Sequence, residues 1–478
     1  MTELKRQRIR DPVHDLVEFD EGDGFESMLW RVIQTAPFQR LRRIRQLGFS
    51  ELVYPGATHT RFAHSLGVFH TARQLMRIVD LYAPRTPEER IQREAALAAS
   101  LVHDVGHGPF SHAFEAIGKS FKWSLVADHE VHSGSLIRST ERGGIGDVLN
   151  GYRPGFADVV AEVLRRGPET VYGSIVSSQF DADRLDYIRR DGLMTGTRLA
   201  RVDFEWLLAN LEIGELPRLA ANGPEEAQAG QMPRPKTLVL GPKAIYAAES
   251  FLVGLFQMYP TVYFHKATRG AEKVAQFVLE RVATLIGNGD APATGLPENH
   301  PLVIFFRNPE SSSSLCDLDD AVVYSAFAML RTSPDALTAQ FSNRLLSRRL
   351  LKSMDLLAMV RNDLPGVAEA EYEKAIKKFR GSVEEKIKAW KGEKADRDGR
   401  ILFDYADRQI YKDLGDDSLL SHIWIRDGGR LVRLRERSES VRAIGTFFAI
   451  RAYIAEDDKE ARRFVEECVS AAIRGEAS

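Results

Sequence analysis

Residues 101–115 read LVHDVGHGPFSHAFE, and this stretch decides the fold of the chain. Residues 94–105, which lead into this stretch and overlap its start, are mostly Ala, Leu and Val. This pattern predicts a central helix, apolar on nearly every face. On such a helix His103 and His107 are spaced i and i+4, and Asp104 is rotated by about 100° from His103. An imidazole and the carboxylate are therefore expected to converge on one point.

A divalent metal ion is the simplest way to compensate a carboxylate buried on that helix, because burying it unpaired would cost on the order of several kcal/mol. The histidines and aspartates of this stretch and of the further candidates below could supply two imidazoles and two carboxylates. Such a ligand set favours manganese, iron, magnesium or zinc in an open site over a structural zinc site. An open site has room for water and a phosphate oxygen, as phosphate-ester hydrolysis requires. Cys316 and Cys468 form no CxxC pattern, so neither a thiolate site nor a disulfide framework is indicated.

The composition is that of an ordinary folded protein, with 44% hydrophobic and 28% charged residues. No apolar run reaches the roughly 18 residues that a membrane span needs, and the first residues, MTELKRQRIRDP, lack the apolar region of a secretory signal. We therefore expect a cytoplasmic protein without membrane partners. The net charge of −2 argues against a protein that coats nucleic acid by bulk charge.

Apolar periodicity predicts a mainly helical chain. The predicted helices cover 28–47 (broken near Pro37), 60–80, 94–105, 175–191, 204–211, 244–258, 268–285 and 457–474. Residues 219–236 are expected to form a loop, 237–240 a strand, 365–400 a solvated charged helix, and Asp427-Gly428-Gly429 the turn of a hairpin. A chain of 478 residues exceeds the usual size of a single core. We expect a core over 1–290 with a regulatory-like segment at 1–47, a helical extension over 291–365 and a C-terminal α+β region over 366–478.

Further candidate residues accompany the His-Asp pair. They are His64, His112, the pair His129-Glu130, and the cluster Asp181, Asp183 and Asp186. A lone helical histidine is more often a core residue than a ligand, and the stripe Asp183, Tyr187, Asp191 at i, i+4, i+8 is more often a solvated face. Their occurrence together with His103-Asp104 favours a functional site.

Four blocks carry a resemblance to a known family: THTRFAHSLGVFHTA (58–72), LVHDVGHGPFSHAFE (101–115), DHEVHS (128–133) and DADRLDYIRRD (181–191). In this order they resemble the signatures of HD-domain deoxynucleoside triphosphate triphosphohydrolases, over roughly residues 8–285. The resemblance implies a mainly α HD fold with a small α+β C-terminal appendage. It also implies metal ligation by His64, His103, Asp104 and Asp183, in agreement with the ligand types inferred above.

The resemblance further implies roles around the substrate. It places His107, His112, His129 and Glu130 at the α-phosphate as proton-transfer groups; the alternative is a network that orients the metal ligands. It places Arg61 and Arg184 on the triphosphate, where their alternative is ordinary ion pairing. It assigns Gln46, Leu47, Tyr187 and Asp191 to the sugar, with Tyr187 packed where a 2′-hydroxyl would clash. The block VYFHKATRGAEK adds Tyr263, His265 and Arg269, and core packing explains Tyr263 equally well.

Regulation is implied in the same way. Family members are often tetramers activated by a nucleotide between subunits, and the candidate residues for such a site here are Arg8, Arg10, Asp11, Gln39 and Arg42. A solvated or subunit-contact face explains these residues equally well. Gln34 stands where a mammalian member of this family has an acidic residue that recognises guanine, which argues against activation by GTP.

The sequence therefore predicts a metal-dependent dNTP triphosphohydrolase that releases deoxynucleoside and triphosphate. One alternative is an HD phosphohydrolase for another nucleotide or a phosphate monoester. A second is a nucleic-acid-binding regulatory protein with a structural metal, to which the basic stripes 342–352 and 430–437 would contribute. The residues beyond the four metal ligands, such as His112, favour an enzyme.

Overall fold

Two long helices, α3 (Arg61–Tyr82) and α4 (Pro87–Val102), lie at the centre of the fold. The computed structural model describes residues 6–82, 86–199, 201–216, 234–360, 369–394, 397–411 and 419–474. A capping box of Thr86 and Glu89 begins α4, and every residue from Glu94 to Val102 is buried. The predicted central apolar helix is confirmed, although it ends three residues earlier than expected.

Helices surround this pair. Before α3 lie α1 (Gly24–Ile33) and α2 (Ala36–Arg40). After α4 the chain forms α5 (His112–Phe121), α6 (Ser124–Ala127), α7 (His129–Arg138), α8 (Ile145–Tyr152), α9 (Phe156–Arg166), α10 (Val171–Val176), α11 (Ala182–Thr195) and α12 (Phe204–Ala209). Then follow α13 (Ile245–Met258), α14 (Lys266–Gly287), α15 (Pro301–Arg307), α16 (Ser312–Cys316), α17 (Asp320–Leu330), α18 (Ala336–Leu346), α19 (Leu356–Val360), α20 (Glu369–Glu393), α21 (Leu434–Arg437), α22 (Glu439–Arg442) and α23 (Lys459–Arg474).

Three small sheets complete the described part of the chain. They consist of β1 (Arg6–Asp11), β2 (Asp15–Asp20), β3 (Leu211–Glu215), β4 (Lys236–Leu240), β5 (Lys352–Asp355), β6 (Ile401–Gln409), β7 (Trp424–Asp427), β8 (Arg430–Arg433) and β9 (Thr446–Ile454). Strands β1 and β2 form a hairpin, the second sheet has the order β3-β4-β7-β8, and the third is antiparallel with the order β5-β9-β6. The mainly α fold with a small α+β C-terminal part is confirmed.

The predicted hairpin at 427–429 is present. Gly428 and Gly429 have φ of 53° and 84°, the left-handed conformations that a two-residue hairpin turn needs. The hairpin does not stand apart from the rest, because β7 pairs in parallel with β4, where Val239 lies opposite Trp424. The division of the chain into 1–290, 291–365 and 366–478 stays a prediction.

Two predicted helices differ from the structure. The helix expected over 175–191 is two helices, because the chain leaves the helix after Val176 and begins α11 with Asp181, whose side chain accepts a hydrogen bond from the Arg184 backbone. The helix expected to be solvated, α20, buries one face that includes Phe379, Val383 and Trp390. The prediction of a solvated helix was based on its many Lys and Glu residues and overlooked this apolar stripe. Most of the loop predicted over 219–236 lies outside the described residues.

The largest hydrophobic core is formed by α3, α4 and the helices packed on them. A second core lies along α14 and the helices α15, α17 and α18. The site described below lies where the ends of α3, α4 and α11 meet. Among the described helices, none is both long and apolar enough to cross a bilayer.

Candidate metal centre

Three helices bring the predicted ligands together. His64 projects from the first turn of α3, His103 and Asp104 follow α4, and Asp183 lies in the first turn of α11. His64 Nε2 is 3.0 Å from Asp183 Oδ1 and 3.7 Å from Asp104 Oδ2. His103 Nε2 is 3.3 Å from Asp104 Oδ1 and 3.8 Å from Asp183 Oδ1. His64, His103 and Asp183 therefore offer ligand atoms within 4.8 Å of one another, and Asp104 adjoins this group.

The local geometry around His103 is not the expected helix. The chain turns after Val102, so that His103 and His107 do not share a helical face. The turn lies against α7: a Cβ on Gly106 would be 2.4 Å from the carbonyl oxygen of His129. The convergence of His103 and Asp104 is confirmed, but the inclusion of His107 on the same face was wrong, because the turn sends His107 to a neighbouring cluster.

The ligand atoms are prepared for a cation. His103 Nδ1 lies 3.1 Å from the Ser100 carbonyl oxygen and His64 Nδ1 lies 2.8 Å from Asp186 Oδ2, so each Nδ1–H donates and each Nε2 faces the centre. His103 Nε2 is buried and has no hydrogen-bond partner. A buried nitrogen without a partner is costly, and a metal ion would satisfy it. The donor set therefore fits a divalent metal.

The charge at this point also favours a cation. Burial lowers the pKa of His64, but its hydrogen bonds to Asp183 and Asp186 outweigh that effect and raise the pKa to about 10. The carboxylates thus draw positive charge to the centre. Asp183 has a side chain that is 37% exposed, so the centre is open on this side, where water or a phosphate oxygen could approach.

A second cluster adjoins the metal centre through Asp104, whose Oδ1 is 3.4 Å from His107 Nε2. It contains His107, His112, Glu115 and His129, with one ligand atom of each within 4.8 Å of the others. Glu115 accepts hydrogen bonds from His129 Nδ1 at 2.8 Å and His112 Nδ1 at 3.2 Å. The rings of His107 and His129 stack with centroids 3.7 Å apart.

Protonation states differ within this cluster. Burial disfavours the charged form of Glu115, but its hydrogen bonds to His112 and His129 hold the pKa of the carboxyl well below its usual range. Burial also works against protonation of His129, but the Glu115 carboxylate raises its pKa. Burial lowers the pKa of His107 well below its usual value. The Glu115 carboxylate thus orients the imidazoles of His112 and His129. Of these two, His112 faces solvent, since its side chain is 71% exposed.

Glu130 has a different environment. Its residue is exposed, and no hydrogen bond or ion pair within the described residues joins its side chain to the histidine cluster. Its backbone N–H donates to Asp128 at the start of α7. Glu115 occupies the place in the network that the sequence analysis gave to Glu130. The catalytic role of Glu130 stays a prediction.

Two arginines flank the metal centre. Arg61 contacts Asp104 through Nη1 and donates from Nε to Ser111 Oγ at 2.8 Å. Arg184 follows the ligand Asp183 and lies 3.3 Å from Asp181. Arg61 is therefore paired with a carboxylate of the centre, and Arg184 with the neighbouring Asp181.

A pocket of polar groups lies further along α11. Asp191 accepts hydrogen bonds from His59 Nε2 at 2.8 Å and from the Tyr263 hydroxyl at 3.0 Å. Gln46 adjoins it, since its backbone N–H donates to the His59 carbonyl oxygen at 3.0 Å and its side-chain oxygen is buried without a partner. The rings of Tyr187 and Tyr263 are 6.1 Å apart. Four residues predicted for the substrate thus meet here, and Leu47, next to Gln46, packs against the core.

His265 and Arg269 have local partners. The His265 ring accepts a hydrogen bond from the Ala267 backbone at the start of α14. Arg269 Nε donates to Asp404 of β6 at 3.1 Å, and its Nη1 donates to Glu272 at 2.8 Å. Their substrate roles stay predictions.

The candidates for a regulatory nucleotide also have partners within the chain. Arg8 pairs with Glu18, Arg10 with Asp15, and buried Asp11 with Arg190. Arg42 donates to Gln39 and lies 3.5 Å above the ring centre of Phe62, while Gln34 is exposed. The regulatory roles of these residues stay predictions.

Three residues near the site were missed by the sequence analysis: His14, His59 and Glu115. His59 and Glu115 stand inside the quoted blocks, and the spacing of Glu115, i+3 from His112, was an available signal. Asp186 was named as a candidate, and the structure places it behind His64. His14 lies 172 residues from its partner Asp186, and no local pattern could connect the two.

Gly67 leads to a prediction about the packing of α3 against α11. A Cβ at this position would lie 2.1 Å from Asp186 Oδ1 and 2.2 Å from Arg190 Nη2. We expect Gly67→Ala to displace this buried ion pair and to destabilise the protein by about 1–3 kcal/mol, the usual cost of overpacking. Urea denaturation measures the change. Gly151→Ala is the control, since no atom lies within 4 Å of its added Cβ; equal stability of the two variants would contradict this packing.

Comparison with known proteins agrees with the fold and the site. A model described as "HD domain" matches residues 61–187, a range that contains the four candidate ligands, and one described as "HD associated region" matches residues 231–298. The uncharacterized protein YwfO of Bacillus subtilis is 33% identical over 353 residues, which are 72% of this chain and 71% of that protein. The chain belongs to the HD-domain family of metal-dependent phosphohydrolases, with an HD-associated region after the HD domain.

Two further similarities concern a shorter segment of the chain or the fold alone. The deoxynucleoside triphosphate triphosphohydrolase SAMHD1 of Homo sapiens is 44% identical over 151 residues, 29% of this chain and 23% of that protein. The crystal structure of a phosphohydrolase from Bacteroides thetaiotaomicron has a TM-score of 0.68 at 24% identity and covers 95% of this chain and 100% of that chain. The second similarity concerns the fold alone.

Proposed function

We propose that the chain hydrolyses deoxynucleoside triphosphates to deoxynucleoside and triphosphate. The observation that carries the proposal is the order of groups along α11. Asp183 of the metal centre is followed by Arg184, then Tyr187, and two turns after Asp183 by Asp191 in its polar pocket. This is the order of phosphates and then sugar in a nucleotide, and eight residues of helix span about 12 Å.

The metal centre would bind the ion that activates water. When bound, the ion supplies Lewis-acid chemistry: it polarises a phosphate oxygen and lowers the pKa of water. His64, His103, Asp104 and Asp183 would hold it, and the ligand chemistry is compatible with manganese, magnesium, iron or zinc. The positive charges of Arg61 and Arg184 would stabilise the negative charge on the phosphate oxygens.

The second cluster would transfer the proton that the leaving group needs. Water attacks the α-phosphorus, the bond from phosphorus to the 5′ oxygen breaks, and that oxygen must take up a proton. His112 is suited to donate it, because its ring is exposed while Glu115 holds its Nδ1–H. His107 and His129 lie behind it as the buried part of the network.

The polar pocket supports deoxyribose as the sugar. Either the unpartnered oxygen of Gln46 or the carboxylate of Asp191 can accept the one hydrogen bond that a 3′-hydroxyl donates. Tyr187 would exclude a 2′-hydroxyl by its bulk, which gives specificity through a steric clash. The similarity to SAMHD1, whose name states deoxynucleoside triphosphate triphosphohydrolase activity, supports the same substrate class.

A homotetramer and an activating nucleotide at Arg8, Arg10, Asp11, Gln39 and Arg42 are part of this proposal. Their support is the sequence resemblance. Asp11 is the weakest member of the set, since its carboxylate is buried against Arg190.

A substrate panel tests the proposed function. The purified full-length protein is incubated with Mn²⁺ or Mg²⁺ and with a mixture of the four dNTPs and four NTPs, and the products are separated by chromatography. We expect deoxynucleosides and triphosphate, with NTPs left intact. Phosphate monoesters are run in parallel. Hydrolysis of the monoesters without turnover of any dNTP would contradict the proposal and indicate an HD phosphohydrolase of another specificity.

A further inference from the structure

Asp186 is a buried carboxylate that is not placed to bind the metal itself. Its side chain is fully buried and accepts four hydrogen bonds. Oδ2 accepts from His64 Nδ1 at 2.8 Å and from Arg190 Nε at 2.8 Å. Oδ1 accepts from His14 Nε2 at 2.6 Å and from Arg190 Nη2 at 3.0 Å. Asp186 thus lies directly behind the metal ligand His64 and is itself held from two sides.

His14 and Arg190, the two residues that hydrogen-bond the other side of Asp186, connect it to the N-terminal hairpin. His14, at the turn between β1 and β2, has a side chain that is only 2% exposed. Arg190 is fully buried and donates to Asp11, the last residue of β1, from Nη1 at 2.7 Å and from Nη2 at 3.2 Å. Asp11 also accepts hydrogen bonds from the backbone N–H groups of Val13 and His14, which fixes the turn.

These hydrogen bonds affect metal binding because the imidazole of a ligating histidine can change its orientation unless its second ring nitrogen is hydrogen-bonded. A carboxylate that accepts the Nδ1–H of a ligating histidine fixes its orientation and raises the basicity of Nε2. Asp186 does this for His64. Since Asp186 is hydrogen-bonded to His14 and Arg190 on its other side, its own position depends on the hairpin.

We propose that the turn of the N-terminal hairpin is part of the metal site: His14 and Asp11 are positioning residues that act through Asp186 and Arg190 on His64. The hairpin lies outside the segment matched by the HD-domain model, which begins at residue 61. The inference rests on the metal centre of the proposed function and is independent of the substrate.

Metal titration tests this proposal. The full-length protein is stripped of metal, and Mn²⁺ binding is followed by calorimetry for the wild type, His14→Leu and His14→Gln. We expect His14→Leu to bind Mn²⁺ about 10-fold more weakly, the lower end of the effect of losing a direct partner of a ligand, since Arg190 still holds Asp186. His14→Gln should recover most of the affinity, because its amide N–H can donate to Asp186. Gln7→Ala is the matched control, since Gln7 lies on the same hairpin and bonds only Glu21 among the described contacts.

The titration is read beside the thermal stability of each metal-free variant. Unchanged Mn²⁺ affinity in His14→Leu would overturn the proposal, whether or not its Tm falls, because a purely structural residue would change stability alone. If His14→Leu does not fold, Asp11→Asn takes its place in the Mn²⁺ titration, and an unchanged Mn²⁺ affinity would again overturn the proposal. Asp11→Asn keeps the shape of the side chain and removes the charge that holds Arg190. No nucleotide is present, so failure of the substrate assignment would not alter these outcomes.

Discussion

Replacing His103 with alanine should weaken Mn²⁺ binding by at least about 100-fold and abolish measurable turnover, because a lost ligand costs more than the roughly 10- to 100-fold effect of a residue that only orients one. The fold should survive. His103 makes one side-chain hydrogen bond, to the Ser100 carbonyl oxygen, and its Nε2 is buried without a partner. Removing a group whose polar atom is unsatisfied costs little stability.

Calorimetric titration with Mn²⁺ and circular dichroism measure the two quantities. His300→Ala is the control, because His300 caps α15 and lies outside the metal centre. We expect it to lose some stability, on the order of 1 kcal/mol as for other caps, and to bind Mn²⁺ like the wild type. If His103→Ala retained the wild-type affinity for Mn²⁺, the proposed ligand set would be wrong.

Glu115→Gln should lower kcat by about 10²- to 10⁴-fold while Mn²⁺ affinity changes little, because Glu115 orients the histidines proposed for proton transfer and does not face the metal centre. Its two oxygens accept from His112 and His129. A glutamine amide presents N–H to one of these rings, which must then change tautomer or turn away. The pKa of His129, raised by the carboxylate, should also fall towards its usual value.

Steady-state kinetics of Glu115→Gln and Glu130→Gln at saturating metal measure this difference. The structure predicts the larger loss in kcat for Glu115→Gln, since Glu130 is exposed and outside the network. A larger loss in Glu130→Gln would show that the resemblance identified the catalytic carboxylate and that the contacts of Glu115 are structural.

The residues predicted as metal ligands lie close together in the structure, and each of them stands in a compact block with its own local signal. Their role as ligands stays a prediction. His103 and Asp104 follow an apolar helix, and the conflict between burial and charge in that stretch is enough to indicate a cation. The same reasoning placed His107 incorrectly, since periodicity alone does not show that a helix ends at Val102. The close approach of Gly106 to α7, which accompanies that turn, is a tertiary contact.

The supporting residues were harder to predict for a physical reason. Glu115 and Glu130 are both carboxylates near a histidine in sequence, and only the packing of α5 against the turn after α4 brings Glu115 to the rings. His14 and Asp186 meet across 172 residues. The apolar face of α20 was missed because its charged residues dominate the composition, although Phe379, Val383 and Trp390 are spaced to share one stripe.

The most direct test of the proposed chemistry is hydrolysis of a dNTP mixture by the Mn²⁺-loaded protein in ¹⁸O-labelled water, with the products analysed by mass spectrometry. Attack at the α-phosphorus with cleavage of the bond to the 5′ oxygen predicts one ¹⁸O atom in the triphosphate and none in the deoxynucleoside. Release of labelled pyrophosphate or monophosphate instead, or no turnover of any dNTP, would contradict the account.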